Sequence, residues 1–314
     1  MKNPLVFVIA LIAVIAPAAC AVDTEPQKAV LVTGASSGIG RTIAEHLAGQ
    51  GYFVYAGARK QRDIDELNAI ENIQAVRLDV TIQSDIDAAV GAIRAGGRGL
   101  YGLVNNAGVA SYGAMIEVPE DDMDFLFDIN IYGVVRVTQA FAPLILEGQG
   151  RVTTIGSVSG FVSDPNEGVY AMSKFAMEAY TDSLAEELAP QGVKVSIVEP
   201  GSFKTRIWRT TAERELRKVE EAGGEVTEQQ KQLAEGIIAF GESRPEPDAV
   251  ALAVEHALFS ETPKRRYMVT PDKNQARDTL QHALRRVAEL NHDHEFSYSR
   301  DALVEMLDEA LEAL

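Results

Sequence analysis

Tyr170 and Lys174 stand four residues apart in a stretch of helical pattern, so their side chains leave the same face of one helix. A phenol with an unperturbed pKa of about 10 is a poor acid or base at neutral pH. An ammonium beside it stabilises the phenolate and draws that pKa down, which is the tuning that general acid–base catalysis requires. Ser157 lies thirteen residues before Tyr170, just past the β-branched run at 151–155, where a hydroxyl can hold a carbonyl or alcohol oxygen beside the phenol. Ser159 is the rival serine. Each feature also has an ordinary reading: Tyr-x-x-x-Lys is a common helical spacing, and serines after strands satisfy turn backbone groups. The elements that carry these residues decide between the two.

Past residue 27, short apolar runs alternate with longer helical patterns. The pattern predicts strands at 29–32, 52–56, 75–78, 100–104, 151–155, 193–198 and 265–269. Helices are expected at 39–50, 82–94, 123–146, 169–189 and 249–258, with two more amphipathic helices in the tail at 274–314. Strands separated by helices of this length imply βαβ units and a parallel sheet, and near-continuous apolar strands suit a sheet covered on both faces. The expected fold is α/β: a doubly wound parallel sheet of the Rossmann type with a C-terminal helical extension. Ser157 then sits at the C-terminal end of a strand, where open α/β sheets bind ligands.

Thr33-Gly34-Ala35-Ser36-Ser37-Gly38-Ile39-Gly40 falls where the first strand turns into the first helix. Glycines there let the backbone turn sharply and approach a pyrophosphate, while the helix N-terminus offers free N–H groups and a positive dipole end. The spacing is Gly-x-x-x-Gly-x-Gly, not the commoner Gly-x-Gly-x-x-Gly. A glycine cluster is also explained by turn formation alone, but its place between strand and helix favours nucleotide binding.

This turn resembles the cofactor turn of the short-chain dehydrogenase/reductase family. Asn105-Asn106-Ala107-Gly108 after the fourth strand, Asn130 in Asp128-Ile129-Asn130, Ser157, Tyr170-x-x-x-Lys174, Pro200-Gly201 and Thr205 follow in that family's order, over about residues 28–270. The segments at 54–59 and 245–269 look like the retinol and hydroxysteroid dehydrogenase branch, which implies a lipophilic alcohol or carbonyl substrate. The resemblance implies hydride transfer to or from a nicotinamide, with Tyr170 exchanging the proton and Ser157 holding the oxygen. It also implies that Lys174 binds the nicotinamide ribose and that Asn130 holds a water continuing the proton path. Cofactor contacts are implied for Gly34, Ser36, Ser37, Gly38, Ile39 and Gly40, for Asp79 and Val80 at the adenine, and for Asn105, Asn106, Ala107 and Gly108. Tyr170, Lys174, Pro200, Gly201 and Thr205 complete that set at the nicotinamide half. The insertion-like stretch 203–245 would cover the substrate, with Phe203, Ile207, Trp208, Ile237 and Phe240 either forming an apolar lid or packing on the domain. Met115, Phe161 and Val162 would extend an apolar pocket. A homo-oligomer, dimer or tetramer, is the family expectation.

In a dinucleotide site an acid at the end of the second strand binds the ribose 2′-OH of NAD, whereas a nearby Arg accommodates the 2′-phosphate of NADP. Here that position falls on Ala58, followed by Arg59, with Lys60 and Arg62 close by. A guanidinium can bind the phosphate bidentately, so NADP(H) is expected over NAD(H). Against this, Ser37 occupies the region where the family's other NADP-associated base would stand, and Arg59 also reads as a plain solvated charge.

The chain has 314 residues and a formal net charge of −17 from 46 acids and 29 bases, which argues against nucleic acid as a partner. Its one cysteine, Cys20, excludes an intrachain disulfide. Lys2, the uncharged run from Pro4 to Ala21 and small residues at its exit describe a secretory signal peptide or an uncleaved membrane anchor in residues 1–27. Ala18-Ala19-Cys20 weakly resembles a lipoprotein box. An exported enzyme meets little NADPH, which favours an anchor with a cytoplasmic or lumenal catalytic domain over free secretion. The remaining organisation is an oxidoreductase domain at 28–272 and the extension at 273–314. No metal is expected, since His292-Asp293-His294 reads as a surface turn without a ligand set. Two other functions share the fold: epimerase or dehydratase chemistry, and a cofactor-binding scaffold without turnover. The second is disfavoured because Asn130, Ser157, Tyr170 and Lys174 are all present.

Overall fold

Alternate residues of the first strand enter two different cores, one on each face of a single sheet. The computed structural model describes residues 27–313; the expected signal or anchor segment and Cys20 lie outside the described residues. Along the chain come β1 (Ala29–Val32), α1 (Gly38–Gly49), β2 (Phe53–Ala58), α2 (Gln61–Asn68), β3 (Ile73–Arg77), α3 (Gln83–Ala95) and β4 (Gly102–Asn105). Next, α4 (Glu120–Phe127) and α5 (Gly133–Glu147) join without a break through a π-helical turn at Asp128–Tyr132. β5 (Arg151–Ile155), α6 (Gly168–Leu188) and β6 (Lys194–Pro200) follow. The chain continues through α7 (Arg206–Glu221), α8 (Glu228–Glu242), α9 (Asp248–Phe259), β7 (Arg266–Val269), α10 (Lys273–Leu290) and α11 (Arg300–Glu312).

All seven strands are parallel, in the order β3-β2-β1-β4-β5-β6-β7. Val30 and Val32 pack with Ile43 and Leu47 of α1 and Val250, Val254 and Leu258 of α9. Ala29 and Leu31 pack on the other face with Ile86 and Ile93 of α3 and Val137, Phe141 and Ile145 of α5. This alternation is the period-2 consequence of strand geometry in a sheet buried on both sides. The chain winds from β1 toward β3 on one side and from β4 toward β7 on the other, so a crevice opens beyond the C-terminal ends of β1 and β4.

The doubly wound sheet expected from the sequence is thus present, with two local differences. α2 was not anticipated; it is a short, charged helix whose apolar contribution is Ile64 and Leu67. β2 runs on to Ala58, which brings Arg59 to the crevice rim. The helical run Glu120–Glu147 is long and apolar enough to cross a membrane, yet half of its most apolar window is buried in the fold. Phe141, Leu144 and Ile145 pack on the sheet there, so it is a core helix. Of the C-terminal extension, α10 buries Thr279 and α11 buries no residue.

Candidate active site

The crevice is built by backbone contact between the glycine turn and the loop after β4. Gly34 and Gly38 hold left-handed φ values of +65° and +56°, which favour glycine. A Cβ on Gly40 would lie 2.3 Å from Asn106 Nδ2, and one on Gly34 would lie 2.9 Å from Ala107 Cα. Asn106 uses that proximity: its Nδ2 donates to Thr33 O at 2.8 Å and to Gly34 O at 3.2 Å. Thr33 Oγ1 in turn accepts from the backbone N–H groups of Asn106 and Ala107. Ser37 caps α1 without a side-chain hydrogen bond, and the first turn carries no acid. The leading N–H groups and positive end of α1 are therefore open to an anion, and this cradle fits a dinucleotide pyrophosphate.

A cleft of about 940 Å³ extends from the cradle. Its walls include Gly34, Ser36, Ser37, Gly38, Ile39, Gly40, Arg59, Asp79, Val80, Asn106, Ala107, Gly108, Tyr170, Lys174, Pro200, Gly201 and Thr205, together with Ser157 and Ser159. Asn105 departs from expectation: it is 3% exposed and donates to Thr138 Oγ1 within the core, because it is still part of β4. At the Arg59 end of the cleft, Thr81 donates twice to Asp79 Oδ1, and Arg59 Nη1 stands 3.6 Å from Oδ2. Burial opposes ionisation of Asp79, but the Thr81 hydrogen bonds and the guanidinium outweigh it and hold the carboxyl below the usual range. A carboxylate thus does face Arg59, although it comes from the loop after β3 and not from the end of β2.

At the other end, Ser157 leaves β5 in extended backbone and its Oγ accepts from the Ser159 N–H at 3.1 Å. The Ser159 amide thus fixes the Ser157 hydroxyl. Lys174 is 8% exposed; its Nζ donates to Ile155 O at 2.9 Å and lies 5.6 Å from the Tyr170 ring centre. Burial draws its pKa down to about 8, against the pull of Glu178. The Tyr170 phenol moves opposite to the sequence expectation. Burial pushes it up to about 12, the hydrogen bond with Ser157 opposes this, and Glu167 adds to the rise. Desolvation outweighs the Ser157 hydrogen bond, so the phenol here is a proton-bearing acid.

Asn130 lies in the π-helical turn, 2% exposed and behind the cleft wall. Its Oδ1 accepts from Val109 N–H, and its Nδ2 donates to Val109 O and to Ser173 Oγ, which itself donates to Tyr170 O at 2.7 Å. Its side chain therefore ties the β4 loop to α6.

Several wall residues were not visible in the sequence. Tyr112 and Glu167 stand near Tyr170, and burial raises both. Gln275, Asp278, Thr279 and His282 of α10 also line the cleft. Gln275 accepts from Ser202 N–H and donates to Ser202 Oγ, which seats α10 beside Gly201. Of the proposed apolar cover, Phe203, Ile207, Trp208, Phe240 and Val162 reach the cleft. Trp208 and Phe240 meet edge-on at 5.1 Å. Met115 instead packs against Gly168, and Ile237 and Phe161 are not on the wall.

A family model described as short chain dehydrogenase matches residues 28–216. The chain belongs to the short-chain dehydrogenase family. The oxidoreductase YbbO of Escherichia coli, described as uncharacterized, is 37% identical over 246 residues, 78% of this chain and 86% of that protein. Mitochondrial D-beta-hydroxybutyrate dehydrogenase of Bos taurus is 34% identical over 272 residues, 79% of this chain and 78% of that protein. Retinol dehydrogenase 7 of Rattus norvegicus is 35% identical over 256 residues, 77% and 80% of the two chains, in keeping with the retinol dehydrogenase-like branch. A short-chain dehydrogenase structure from Streptomyces avermitilis superposes with a TM-score of 0.70 at 31% identity, covering 85% of this chain and 96% of that one.

If the glycine turn is the phosphate cradle of this short-chain dehydrogenase, Gly40→Ala should displace Asn106 and lower dinucleotide affinity by about tenfold or more, the equivalent of losing a charge-assisted hydrogen bond. Titration of NADPH or NADH fluorescence measures it, and unchanged affinity would count against the cradle.

Proposed function

We propose that this short-chain dehydrogenase interconverts an alcohol and a carbonyl on a lipophilic substrate, with Tyr170 as the general acid/base and NADP(H) preferred. The observation that carries the reading is the meeting of Tyr170, Ser157 and Lys174 on one wall of the cleft whose opposite end is the α1 cradle. A bound nicotinamide dinucleotide supplies or takes up the hydride.

In the reducing direction the protonated phenol of Tyr170 gives its proton to the carbonyl oxygen, and the Ser157 hydroxyl holds that oxygen in place. Oxidation reverses the transfer. Lys174, anchored on Ile155 O, keeps a positive charge close to the phenol and offers its remaining N–H donors to the nicotinamide ribose. Asn130 is a positioning residue, holding α6 and the β4 loop together through Ser173 and Val109. Phe203, Ile207, Trp208 and Phe240 give the substrate end its apolar character. Arg59 and Lys60 at the other end support a 2′-phosphate. An incoming phosphate would compete with Asp79 for the exposed Arg59 guanidinium.

Tyr170→Phe should cut turnover by about 100- to 10,000-fold while the dinucleotide still binds. Assays of NADPH absorbance against ketones, steroids and retinoids, paired with cofactor titration, test this; near-normal turnover would sink the assignment. Cofactor binding by the unaltered protein with no turnover on any substrate would favour a scaffold.

The ammonium of Lys174 is lost as pH rises through its lowered pKa of about 8, whereas Tyr170 at about 12 stays protonated over that range. The reduction rate should therefore be level below that point and decline above it, and a pH–kcat profile reads this directly. Arg59→Ala should raise KM for NADPH by about tenfold, the loss of a charge-assisted hydrogen bond, with little change for NADH. An equal effect on both cofactors would remove Arg59 from phosphate recognition.

A further inference from the structure

Tyr170, Lys174, Glu178 and Asp182 recur at four-residue spacing and form one stripe along α6. The stripe runs from the cleft into the interior and out again: Lys174 and Glu178 are each 8% exposed, whereas the Asp182 side chain is 48% exposed. Beside it on β6 stands Glu199, 3% exposed and immediately before Pro200 of the cleft wall. Arg266 of β7 serves all three carboxyl groups. Its Nε is 3.1 Å from Glu178 Oε2 and 3.7 Å from Glu199 Oε1, and its Nη2 is 2.7 Å from Asp182 Oδ2. Among the described residues it is the one cation in ion-pair range of either glutamate, since Arg265 reaches only Asp182 and Glu186.

The hydrogen-bond accounting does not close with both glutamates ionised. Glu178 Oε1 and Glu199 Oε1 are buried and neither receives a donor. Gly160 closes over the first of these; a Cβ there would lie 2.8 Å from Glu178 Oε1. Two carboxylates cannot donate to one another, whereas a carboxylic acid and a carboxylate can. Two like charges this close to a single guanidinium also resist joint ionisation.

We propose that Glu178 and Glu199 share one proton as a buried carboxyl–carboxylate pair, and that the single negative charge it keeps holds Lys174 in its ammonium form. Burial raises both glutamates, with Arg266 opposing at Glu178 and the Glu178 charge adding to the rise at Glu199. For Lys174, burial works against the ammonium and Glu178 works for it. The two glutamates are positioning residues that act on the reaction through Lys174. Its importance for catalysis rests on the function proposed above; the shared proton does not.

The test uses the full chain. Infrared spectra of the unaltered protein at neutral pH should contain a protonated-carboxyl band that is lost in both Glu178→Gln and Glu199→Gln, because the introduced amide gives the remaining carboxylate its donor. NMR titration of the Lys174 ammonium should show deprotonation about one pH unit lower in the double variant Glu178→Gln/Glu199→Gln, which removes the charge that the pair keeps, and the alkaline limb of kcat should move with it. A band absent from the unaltered protein, or persisting in both variants, overturns the shared proton. A Lys174 titration that stays in place in the folded double variant overturns the link to Lys174. Should the double variant not fold, Glu178→Gln replaces it: the charge is then confined to Glu199, a smaller shift in the same direction is expected, and no shift overturns the link. The NMR titration needs no turnover, so absence of alcohol or carbonyl turnover would remove the functional reading without deciding this one.

Discussion

An ammonium withdrawn from water costs several kcal/mol unless nearby groups replace its solvation, and much of the site geometry follows from how Lys174 meets that requirement. Its hydrogen bond to Ile155 O ties α6 to the last residue of β5, two positions before Ser157. One helical turn earlier on the same face, Tyr170 is thereby brought over Ser157. Ser173 adds a second tie by bonding Tyr170 O and Asn130, and Asn130 passes that restraint to Val109 in the β4 loop. The same loop forms the cradle through Asn106 and Ala107. The anchoring of one buried charge and the closing of the α1 cradle are thus parts of one connected network.

The electrostatics of the cleft run against those of the molecule. With a net charge of −17, the protein as a whole repels anions. The cleft end that would take a dinucleotide is nevertheless favourable to them, because the open N-terminus of α1, Arg59 and Lys60 act at short range where the distant surface acids are screened. At the reacting end the controlling effect is desolvation. It keeps Tyr170 protonated and draws Lys174 toward neutrality, so the pair differs from a phenolate–ammonium couple. Glu167 and Glu178 then act in the same sense on the two ends of the Tyr170–Lys174 pair: the first strengthens the proton's hold on the phenol, the second the proton's hold on the lysine.

What could be read from the sequence was what local spacing encodes. Tyr170 and Lys174 share a face because four residues make about one helical turn, and the glycine turn follows from its place between an apolar strand and a helix. Contacts made by chain segments far apart carry no such signature. Glu199 meets Glu178 only because β6 packs beside α6, and Gln275 reaches Ser202 across 73 residues. Asp79 lines the cleft, yet its approach to Arg59 depends on the pairing of β2 with β3. α2 escaped because it is only eight residues long and buries just two apolar side chains, Ile64 and Leu67. The rise of the Tyr170 pKa escaped for a related reason: spacing reveals a neighbouring charge but not the depth at which both groups are buried.

The division of labour within the chain follows from which segments the sheet constrains. Residues at the ends of β1, β4, β5 and β6 are held by strand pairing on both sides, and these strand ends and the loops leaving them carry the cradle, Ser157 and Pro200-Gly201. The proposed substrate end is enclosed by α7, α8 and α10, which lie outside the sheet, and α7 and α8 hold each other by side-chain contacts such as Trp208 with Phe240. α10 is nevertheless locked in place at one point. Gln275 occupies the space beside Gly201 so closely that a Cβ there would lie 1.9 Å from its Oε1. The C-terminal extension is therefore continuous with the cleft wall through α10, whereas α11 buries none of its residues against the domain. Changes in α7, α8 and α10 can reshape the substrate end without disturbing Tyr170 and Lys174, because the bonds that fix those two run to β5 and the β4 loop instead.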